Sequence, residues 1–285
     1  MNIEKYKVNG KKKFRLTDYS TKDTGCFDSS ESVRAIVEQN IKEISSLQSK
    51  LYADGKVALL IIFQAMDAAG KDSAIKHVMS GVNPQGVKVY NFIQPSPEEL
   101  SHDYLWRAVK ALPQRGKIAI FNRSYYEDVL VVKVHKLYEK LNIIERCKAS
   151  DTMEKRYMQI RHFEDYLWEN GIVTVKFFLN ISKETQRKRF LKRIDKKDKN
   201  WKFSDADIRE REYWDDYQQA YQSAIEATAT EHNPWYIIPA DRKWFSRAIC
   251  SNILLNAMQE INPQYPVISK EQEIMLEESR YKLTN

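Results

Sequence analysis

The loop at residues 65–73, between an apolar run and a helical pattern, carries the residue types best suited to chemistry. Small residues before a Gly-Lys pair at the start of a helix are typical of phosphate-binding loops, because backbone N–H groups and the helix N-terminus then surround phosphate oxygens. The lysine of such a loop supplies a cation to the same phosphate. We predict that six residues form this loop: Ala68, Ala69, Gly70, Lys71, Asp72 and Ser73.

The loop departs in two places from the common P-loop pattern. Ala65 stands where the first glycine is expected, and Asp72 follows the lysine where Ser or Thr would bind Mg²⁺. Both departures weaken the interpretation of the chain as an ordinary ATPase.

Asp67 places a carboxylate inside the same loop, where it would repel a phosphate unless a cation lay between them. A bridging Mg²⁺ removes that repulsion, and Asp67 would fix its position or accept a proton from the attacking phosphate. The alternative is that Asp67 is an N-cap carboxylate for the helix that begins at Gly70. We predict that Asp67 and Lys71 are catalytic.

A second polar segment begins where the apolar run at residues 118–121 ends. Ligands of open α/β sheets bind at the carboxyl ends of the strands, so Arg123 should face the phosphate-binding loop. A guanidinium there can bind two phosphate oxygens and stabilise charge during transfer, so we predict that Arg123 is also catalytic. The alternative is an ordinary salt bridge from Arg123 to Glu127 or Asp128.

The excess positive charge of the chain is concentrated at residues 183–202. This segment has ten Lys or Arg against three Asp or Glu, which equals the net charge of +7 of the whole chain. A polyanion is the partner that such a segment indicates, and a solvated helix face is the alternative. Arg189, Arg193 and Lys196 recur at steps of four and three and form one ridge, which Arg187 widens together with Lys192 and Lys199.

The ridge alone does not distinguish a phosphate chain from RNA. Nucleic-acid phosphates obey the same physics, and three aromatic residues could stack on bases: Phe190, Trp201 and Phe203.

The elements that must position these groups alternate along the chain. Short apolar runs, which predict strands of a parallel sheet, occur at residues 57–63, 87–92, 118–121, 172–179 and 235–238. Helical patterns fall between them, so we predict a doubly wound α/β domain. The basic segment should form a helical lid over residues 183–215, within a single domain at residues 30–262. We predict an irregular arm at 1–29 and a tail at 263–285.

The length of the apolar runs and the number of cysteines indicate where in the cell the protein is located. The longest apolar run is far shorter than a membrane span of about 20 residues, so no membrane association is expected. Cys26, Cys147 and Cys250 are odd in number and widely separated, as expected of thiols in a reducing compartment. We predict a cytoplasmic protein.

Five separate segments, in the same order, resemble motifs of the polyphosphate kinase 2 family. They are Asp67–Lys71, Gly81–Gly86, His102–Arg107, Asn122–Val131 and Trp201–Lys202. The resemblance extends from about Ala35 to about Asn256. Several motifs in order make it far more specific than a phosphate-binding loop alone.

The resemblance implies a P-loop kinase fold similar to thymidylate kinase, with a basic lid, a Walker A loop containing Asp67 and Lys71, and a Walker B strand that ends near Asn122. It also implies Mg²⁺ as cofactor, held by Asp67 and Asn122, and polyphosphate as phosphate donor or product. The lid residues implied to bind polyphosphate are Arg187, Arg189, Arg193 and Lys196. Those implied to bind the nucleotide are Asp103, Arg107, Asn122, Arg123, Glu127 and Asp128.

Differences within the family suggest the acceptor. Some members have Asp in place of Asn122, which weakens the case for a second acidic metal ligand, and Asn-Arg in place of Glu127-Asp128. The pattern resembles the branch that phosphorylates both nucleoside monophosphates and diphosphates, so AMP and ADP are the expected acceptors and ATP a product of the reversible transfer. We expect a homo-oligomer without a nucleic-acid partner.

Two other hypotheses stay open from the sequence. One is an ATP-dependent nucleoside monophosphate kinase, which an assay with polyphosphate as sole donor would separate from the first. The other is a non-catalytic RNA-binding P-loop module, which would bind single-stranded RNA with steep salt dependence and make no nucleotide product.

Overall fold

A computed structural model describes residues 1–141 and 143–285, and gives no side-chain placement for Lys202. The lysine of the Trp201–Lys202 motif therefore lies outside the described side chains. Within these residues the chain forms a sheet of six strands, in the order β1-β6-β5-β2-β4-β3. The strands are β1 (Lys7–Val8), β2 (Ala58–Ala65), β3 (Val87–Asn91), β4 (Ile118–Asn122), β5 (Ile172–Asn180) and β6 (Trp235–Pro239).

The sheet is parallel from β3 to β6, and β1 pairs antiparallel with β6 at its edge. All residues of β2 are buried. A central strand covered on both faces needs a long apolar run, and residues 58–63 are all apolar. The predicted α/β class with a parallel sheet is confirmed.

The helices, numbered along the chain, differ greatly in length. They are α1 (Glu31–Asp54), α2 (Lys71–Val78), α3 (Pro97–Leu100), α4 (Trp106–Val109), α5 (Val131–Val134), α6 (Leu137–Lys140), α7 (Thr152–Glu169), α8 (Lys183–Asp195), α9 (Asp205–Glu210), α10 (Trp214–Thr228), α11 (Lys243–Ile261) and α12 (Lys270–Thr284).

The long helices form two groups around the sheet. α7 packs against β5 and against α10, whereas α1, α2 and α11 pack together, with α11 on β5 and β6. Lys176 of β5 donates a hydrogen bond to Glu164 of α7, so Lys176 lies on the face of the sheet that α7 covers. Its neighbours along the strand point to the opposite face. Residues 174–180 of β5 are all buried, so both faces of this strand are covered.

One sequence prediction, the irregular arm, needs correction. The arm at residues 1–29 is not irregular throughout: β1 joins the sheet, and Tyr6, Val8, Phe14 and Leu16 are buried in the core. A two-residue strand is too short to show a period in sequence. The tail contains the exposed helix α12. The division into arm, domain and tail stays a prediction.

In the described part of the chain, no helix is both long enough and apolar enough to cross a bilayer.

Candidate active site

A cavity of about 880 Å³ lies at the carboxyl edge of the sheet and brings together the predicted phosphate-binding segments. Its lining includes residues 67–73, which follow β2, and Asn122 and Arg123 at the end of β4. Parallel pairing aligns Phe63 with Asn122, so the two strands end side by side. This register explains why residues more than fifty positions apart in sequence share one site.

The lining of this cavity is strongly cationic. Among the described residues it contains eight Lys or Arg against three Asp. The cations are Lys71, Lys76, Arg123, Arg189, Lys192, Arg193, Lys199 and Lys243, and the acids are Asp67, Asp72 and Asp198. Such a cavity favours a ligand with several negative charges.

The loop bends sharply before α2 begins. Ala68 and Gly70 have left-handed backbone angles, with φ of 60° and 108°. Gly70 holds the N-cap position of α2, and Lys71 is its first residue. The Lys71 Nζ atom donates to the carbonyl oxygen of Ala65 at 3.0 Å, which folds the lysine back across the loop. The predicted strand, loop and helix are therefore in place.

Asp67 and Arg123 form an ion pair at the edge of the cavity. Arg123 Nη2 donates to Asp67 Oδ1 at 2.7 Å, and both side chains are partly exposed. Burial disfavours the charged guanidinium, but Glu127 and Asp67 outweigh it and raise the pKa of Arg123 above its usual range. The salt bridge of Arg123 is thus made to the loop carboxylate, not to Glu127 or Asp128 as the alternative had it, and Gly70 rather than Asp67 caps α2.

Lys71 and Glu127 add two half-buried ionisable groups to this pair. Burial and the neighbouring Arg123 lower the pKa of Lys71. Burial also raises the pKa of Glu127, against the opposing effect of Arg123 and Lys71. The Gln64 amide forms hydrogen bonds with both of its polar neighbours when its nitrogen donates to Glu127 Oε1 at 2.9 Å and its oxygen accepts from Ser124. These groups shift one another's pKa values, and perturbed pKa values cluster at functional sites.

The residues predicted to hold Mg²⁺ fit that ion in part. Magnesium keeps several waters and needs only one or two carboxylates besides substrate phosphates, so Asp67 at the cavity suits it. Asn122 Nδ2 donates to Asp72 Oδ1 at 3.0 Å and to Asn91 Oδ1 at 2.9 Å. Its Oδ1 is buried and lacks a hydrogen-bond partner in the described structure. Asn122 therefore offers one neutral oxygen, and Asp67 is the stronger candidate ligand.

The residues predicted to bind the nucleotide are divided between two cavities. Asn122 and Arg123 line the first, whereas Asp103, Arg107 and Asp128 line a second cavity of about 720 Å³. Among the residues that the structure places, Glu127 lines neither of the two.

The second cavity combines charged and apolar walls. Arg156 Nη1 lies 3.6 Å from Asp128 Oδ1, yet burial raises the pKa of Asp128 to about 6. Arg107 Nη1 donates to the carbonyl oxygen of Ile93 at 2.8 Å and lies over the ring of Phe92. Because Phe92 and Ile93 line the first cavity, this segment forms a wall between the two.

The four lid residues predicted to bind polyphosphate differ in whether they line the first cavity. Arg189 and Arg193 line the first cavity, but Arg187 and Lys196 are not among the lining residues in the described ranges. Arg187 instead pairs with Glu184 through two contacts of 2.9 Å on the exposed side of α8. The helix ends at Asp195, so the periodicity that placed Lys196 on the ridge does not continue to it.

Lys243 is a charged cavity residue that the sequence did not point to. It is the first residue of α11, and its Cε would lie 3.8 Å from a Cβ at Gly70. Burial, followed by the nearby Arg189 and Arg247, lowers the pKa of Lys243 to about 8. Its position shortly after β6 was a usable signal, since the segment after each parallel strand reaches the same edge.

The lowered pKa of Lys243 predicts a pH dependence. Its positive charge should be present below pH 8 and lost above it, so the affinity for an anionic ligand should fall as pH rises through about 8. The pH profile of kcat/KM reports groups of the free enzyme. We expect Lys243→Arg to remove the inflection near pH 8 from the profile for the anionic donor, because arginine stays charged.

A Lys243→Met variant provides the comparison for this profile. It should give low kcat/KM without an inflection near pH 8, since the charge is absent throughout. Identical profiles for wild type and Lys243→Arg would contradict the assignment of that inflection to Lys243.

The fold and the site define an α/β protein with a cationic cavity at the carboxyl edge of its sheet. The chain belongs to the polyphosphate kinase 2 family, whose model matches residues 28–266. The family membership predicted from the five motifs is confirmed.

Two relatives match over nearly their whole length. The chain is 45% identical over 268 residues to an ADP-polyphosphate phosphotransferase of Rhodopseudomonas palustris, covering 93% of each chain. It is 41% identical over 266 residues to an AMP/ADP-polyphosphate phosphotransferase of Meiothermus ruber, covering 93% of this chain and 96% of the relative. The crystal structure of polyphosphate kinase 2 from Arthrobacter aurescens TC1 superimposes with a TM-score of 0.86, at 37% identity and 96% coverage of each chain.

Proposed function

We propose that the protein transfers the terminal phosphate of inorganic polyphosphate to AMP and to ADP. The observation that carries this proposal is the cavity in which a phosphate-binding loop faces a wall of cations on α8. A polyphosphate chain carries charge at every unit, so a row of cations suits it. The names of the two relatives, one acting on ADP and the other on AMP and ADP, support these acceptors.

The P-loop kinase assignment is part of the proposal. A buried parallel strand, a small-residue loop and a helix that begins at Lys71 support a Walker A arrangement. The end of β4 beside this loop supports the Walker B assignment. The similarity to thymidylate kinase and the role of residues 183–215 as a lid belong to the same proposal.

Each cavity would receive one substrate. The polyphosphate chain would lie in the first, with its terminal phosphate at the loop and its remainder along Lys192, Arg193 and Lys199. The nucleoside would occupy the second, whose apolar walls suit a base and whose Arg107 and Asp128 offer polar contacts. Arg123 lies at the end of β4, where the acceptor phosphate would meet the donor.

The site residues would divide the chemistry among them. An oxygen of the nucleotide phosphate attacks the terminal phosphorus, the bond to the penultimate unit breaks, and a chain one phosphate shorter leaves. Lys71 would bind the transferred phosphate, and Arg123 would stabilise the charge that it carries during transfer. Asp67 would hold Mg²⁺ or accept a proton from the attacking phosphate. Mg²⁺, when bound, would neutralise phosphate oxygens.

The remaining parts of the proposal concern the cellular setting. We propose reversible transfer with ATP as the product from ADP, a cytoplasmic location, no nucleic-acid partner, and a homo-oligomer. Free Cys26, Cys147 and Cys250 support a reducing compartment. Exposed apolar residues of α12 support self-association, namely Ile274, Met275, Leu276 and Leu283.

Acceptor use provides the test of this function. With Mg²⁺ and polyphosphate as the sole donor, we expect purified protein to convert AMP to ADP and ADP to ATP, as resolved by chromatography. Excess EDTA should stop both reactions, because the charge of the phosphates would then be unneutralised. Consumption of ADP with AMP untouched at millimolar concentration would refute dual acceptor use. Transfer from ATP but not from polyphosphate would instead favour a nucleoside monophosphate kinase.

A further inference from the structure

Three consecutive carbonyl groups of the phosphate-binding loop are held by side chains of α8. Gln186 Nε2 donates to the carbonyl oxygen of Asp67 at 2.9 Å. Arg189 Nη1 donates to those of Ala68 at 3.0 Å and Ala69 at 2.7 Å. Helix α8, which is predicted to bind the polyphosphate chain, is therefore hydrogen-bonded directly to the loop backbone.

Arg189 connects this loop to a second one. Its Nη2 donates to the carbonyl oxygens of Ala240 at 2.6 Å and Asp241 at 3.1 Å, just after β6. Four of the five N–H groups that a guanidinium carries thus point at backbone carbonyls. Little of its hydrogen-bonding capacity is left for a phosphate chain, although its charge still faces the cavity.

The orientation of Gln186 is itself fixed. Its side chain is buried, and Arg211 Nη1 donates to its Oε1 at 2.8 Å. Since the amide oxygen accepts from Arg211, the amide nitrogen must face the carbonyl of Asp67. Arg211 also donates to the carbonyl oxygen of Lys183, so the contact is anchored within the helical segment.

The peptide geometry gives these contacts a consequence for phosphate binding. In a trans peptide the C=O of one residue and the N–H of the next point in opposite directions. Turning the carbonyls of Asp67 and Ala69 toward α8 directs the N–H groups of Ala68 and Gly70 the other way. The N–H of Ala69 is used within the loop, by the carbonyl of Met66 at 3.3 Å.

The backbone of the loop agrees with this arrangement. Ala68 and Gly70 adopt left-handed angles, and successive N–H groups in such turns form concave anion-binding nests. A left-handed angle is unfavourable for alanine, so contacts from outside the loop must hold it. Arg189 supplies such a contact at the carbonyl of Ala68 itself.

We infer that Gln186 and Arg189 are positioning residues that hold the phosphate-binding loop in its anion-binding conformation by turning its carbonyls away from the phosphate. The inference rests on the proposed function, in which this loop binds the terminal phosphate of the donor. It gives Arg189 a different role from that of Arg193 and Lys192, whose charges would bind more distant phosphates.

Two substitutions separate this role from a simple charge effect. Arg189→Lys keeps the positive charge but cannot bridge two loops, and Gln186→Glu keeps the shape but cannot donate to Asp67 when ionised. We expect each to lower kcat/KM for polyphosphate about a hundredfold, because small displacements of a catalytic loop have effects of this size. The loss should be equal for short and long chains, and the KM for AMP should change little.

Controls keep the test decisive. Lys188→Ala removes an exposed α8 cation that pairs with Glu184 at 3.5 Å, and it should behave as wild type. Gln186→Met offers a neutral variant if Gln186→Glu melts early, and calorimetric binding of tripolyphosphate gives a readout without turnover. In each variant an unchanged melting temperature and AMP affinity would show that the fold persists.

Three outcomes would overturn the inference. In Arg189→Lys, a loss that grows with chain length would make Arg189 a contact of the distant phosphates. Normal kinetics in both Gln186→Glu and Arg189→Lys, with Lys71→Ala impaired, would refute the positioning role and leave the proposed function intact. If Lys71→Ala were also normal, the loop would not be the donor site and both proposals would fail.

Discussion

The Asp67→Asn and Lys71→Ala variants are each expected to turn over at least about a hundredfold more slowly than the wild-type enzyme. Lys71 crosses the loop to the carbonyl of Ala65 and faces the cavity, so its removal takes a cation from the transferred phosphate. Asp67→Asn keeps the size of the side chain but removes the charge that pairs with Arg123 at 2.7 Å. Both losses should affect kcat more than the KM for AMP.

The measurement is steady-state kinetics with polyphosphate as the donor, together with thermal melting of each variant. Neither side chain belongs to the apolar core, so melting should change little. Lys42→Ala on the exposed side of α1 is a matched control for loss of a lysine far from the cavity. Near-normal rates in both variants with unchanged melting would remove this loop from the mechanism.

A second large effect is expected at the buried ion pair of Lys176 and Glu164. The two side chains are 0% and 1% exposed, and Lys176 Nζ lies 2.5 Å from Glu164 Oε2. Lys176 also donates to the carbonyl oxygen of Thr228 at 3.0 Å. The hydroxyls of Tyr125 and Tyr126 each donate to Glu164 Oε1 at 2.8 Å. The network joins α7, α10 and β5 to the segment that follows Arg123.

Removing one partner leaves the other charge buried without compensation. We therefore expect Lys176→Met and Glu164→Gln each to lower the free energy of unfolding by about 3–5 kcal/mol, measured by urea denaturation. The double variant Lys176→Met/Glu164→Leu should recover much of this loss, because a buried pair can often be replaced by apolar residues without net destabilisation. Single substitutions costing below about 1 kcal/mol would contradict this view of the pair.

The parts of the site that the sequence predicted depend on local signals. The loop after β2 has small residues, Gly70 and Lys71 in order, and β4 is apolar up to the residue before Asn122. Each signal lies within one segment, and the rule that parallel strands end at a common edge places the segments together. The structure follows this rule, with Asn122 paired in register to Phe63.

Features that depend on tertiary contacts were not accessible in this way. Helical spacing placed Arg189 on a phosphate-binding ridge, but spacing does not reveal that the carbonyls of two loops accept its N–H groups. Gln186 carries no charge and belongs to no motif that would indicate a role from the sequence. Lys243 reaches the cavity only because α11 begins beside Gly70. The separation of Asp103 from Arg123 into different cavities likewise depends on where the wall at Phe92 lies.

We propose that the phosphate-binding loop and the cations of α8 together hold the polyphosphate donor. A crystal structure of the protein soaked with tripolyphosphate, without nucleotide, tests it most directly. We expect a phosphate chain in the first cavity, with one end at the N–H groups of Ala68 and Gly70 and the rest along Lys192, Arg193 and Lys199. Tripolyphosphate bound instead beside Arg107 and Asp128 in the second cavity, with the first left empty, would contradict the claim.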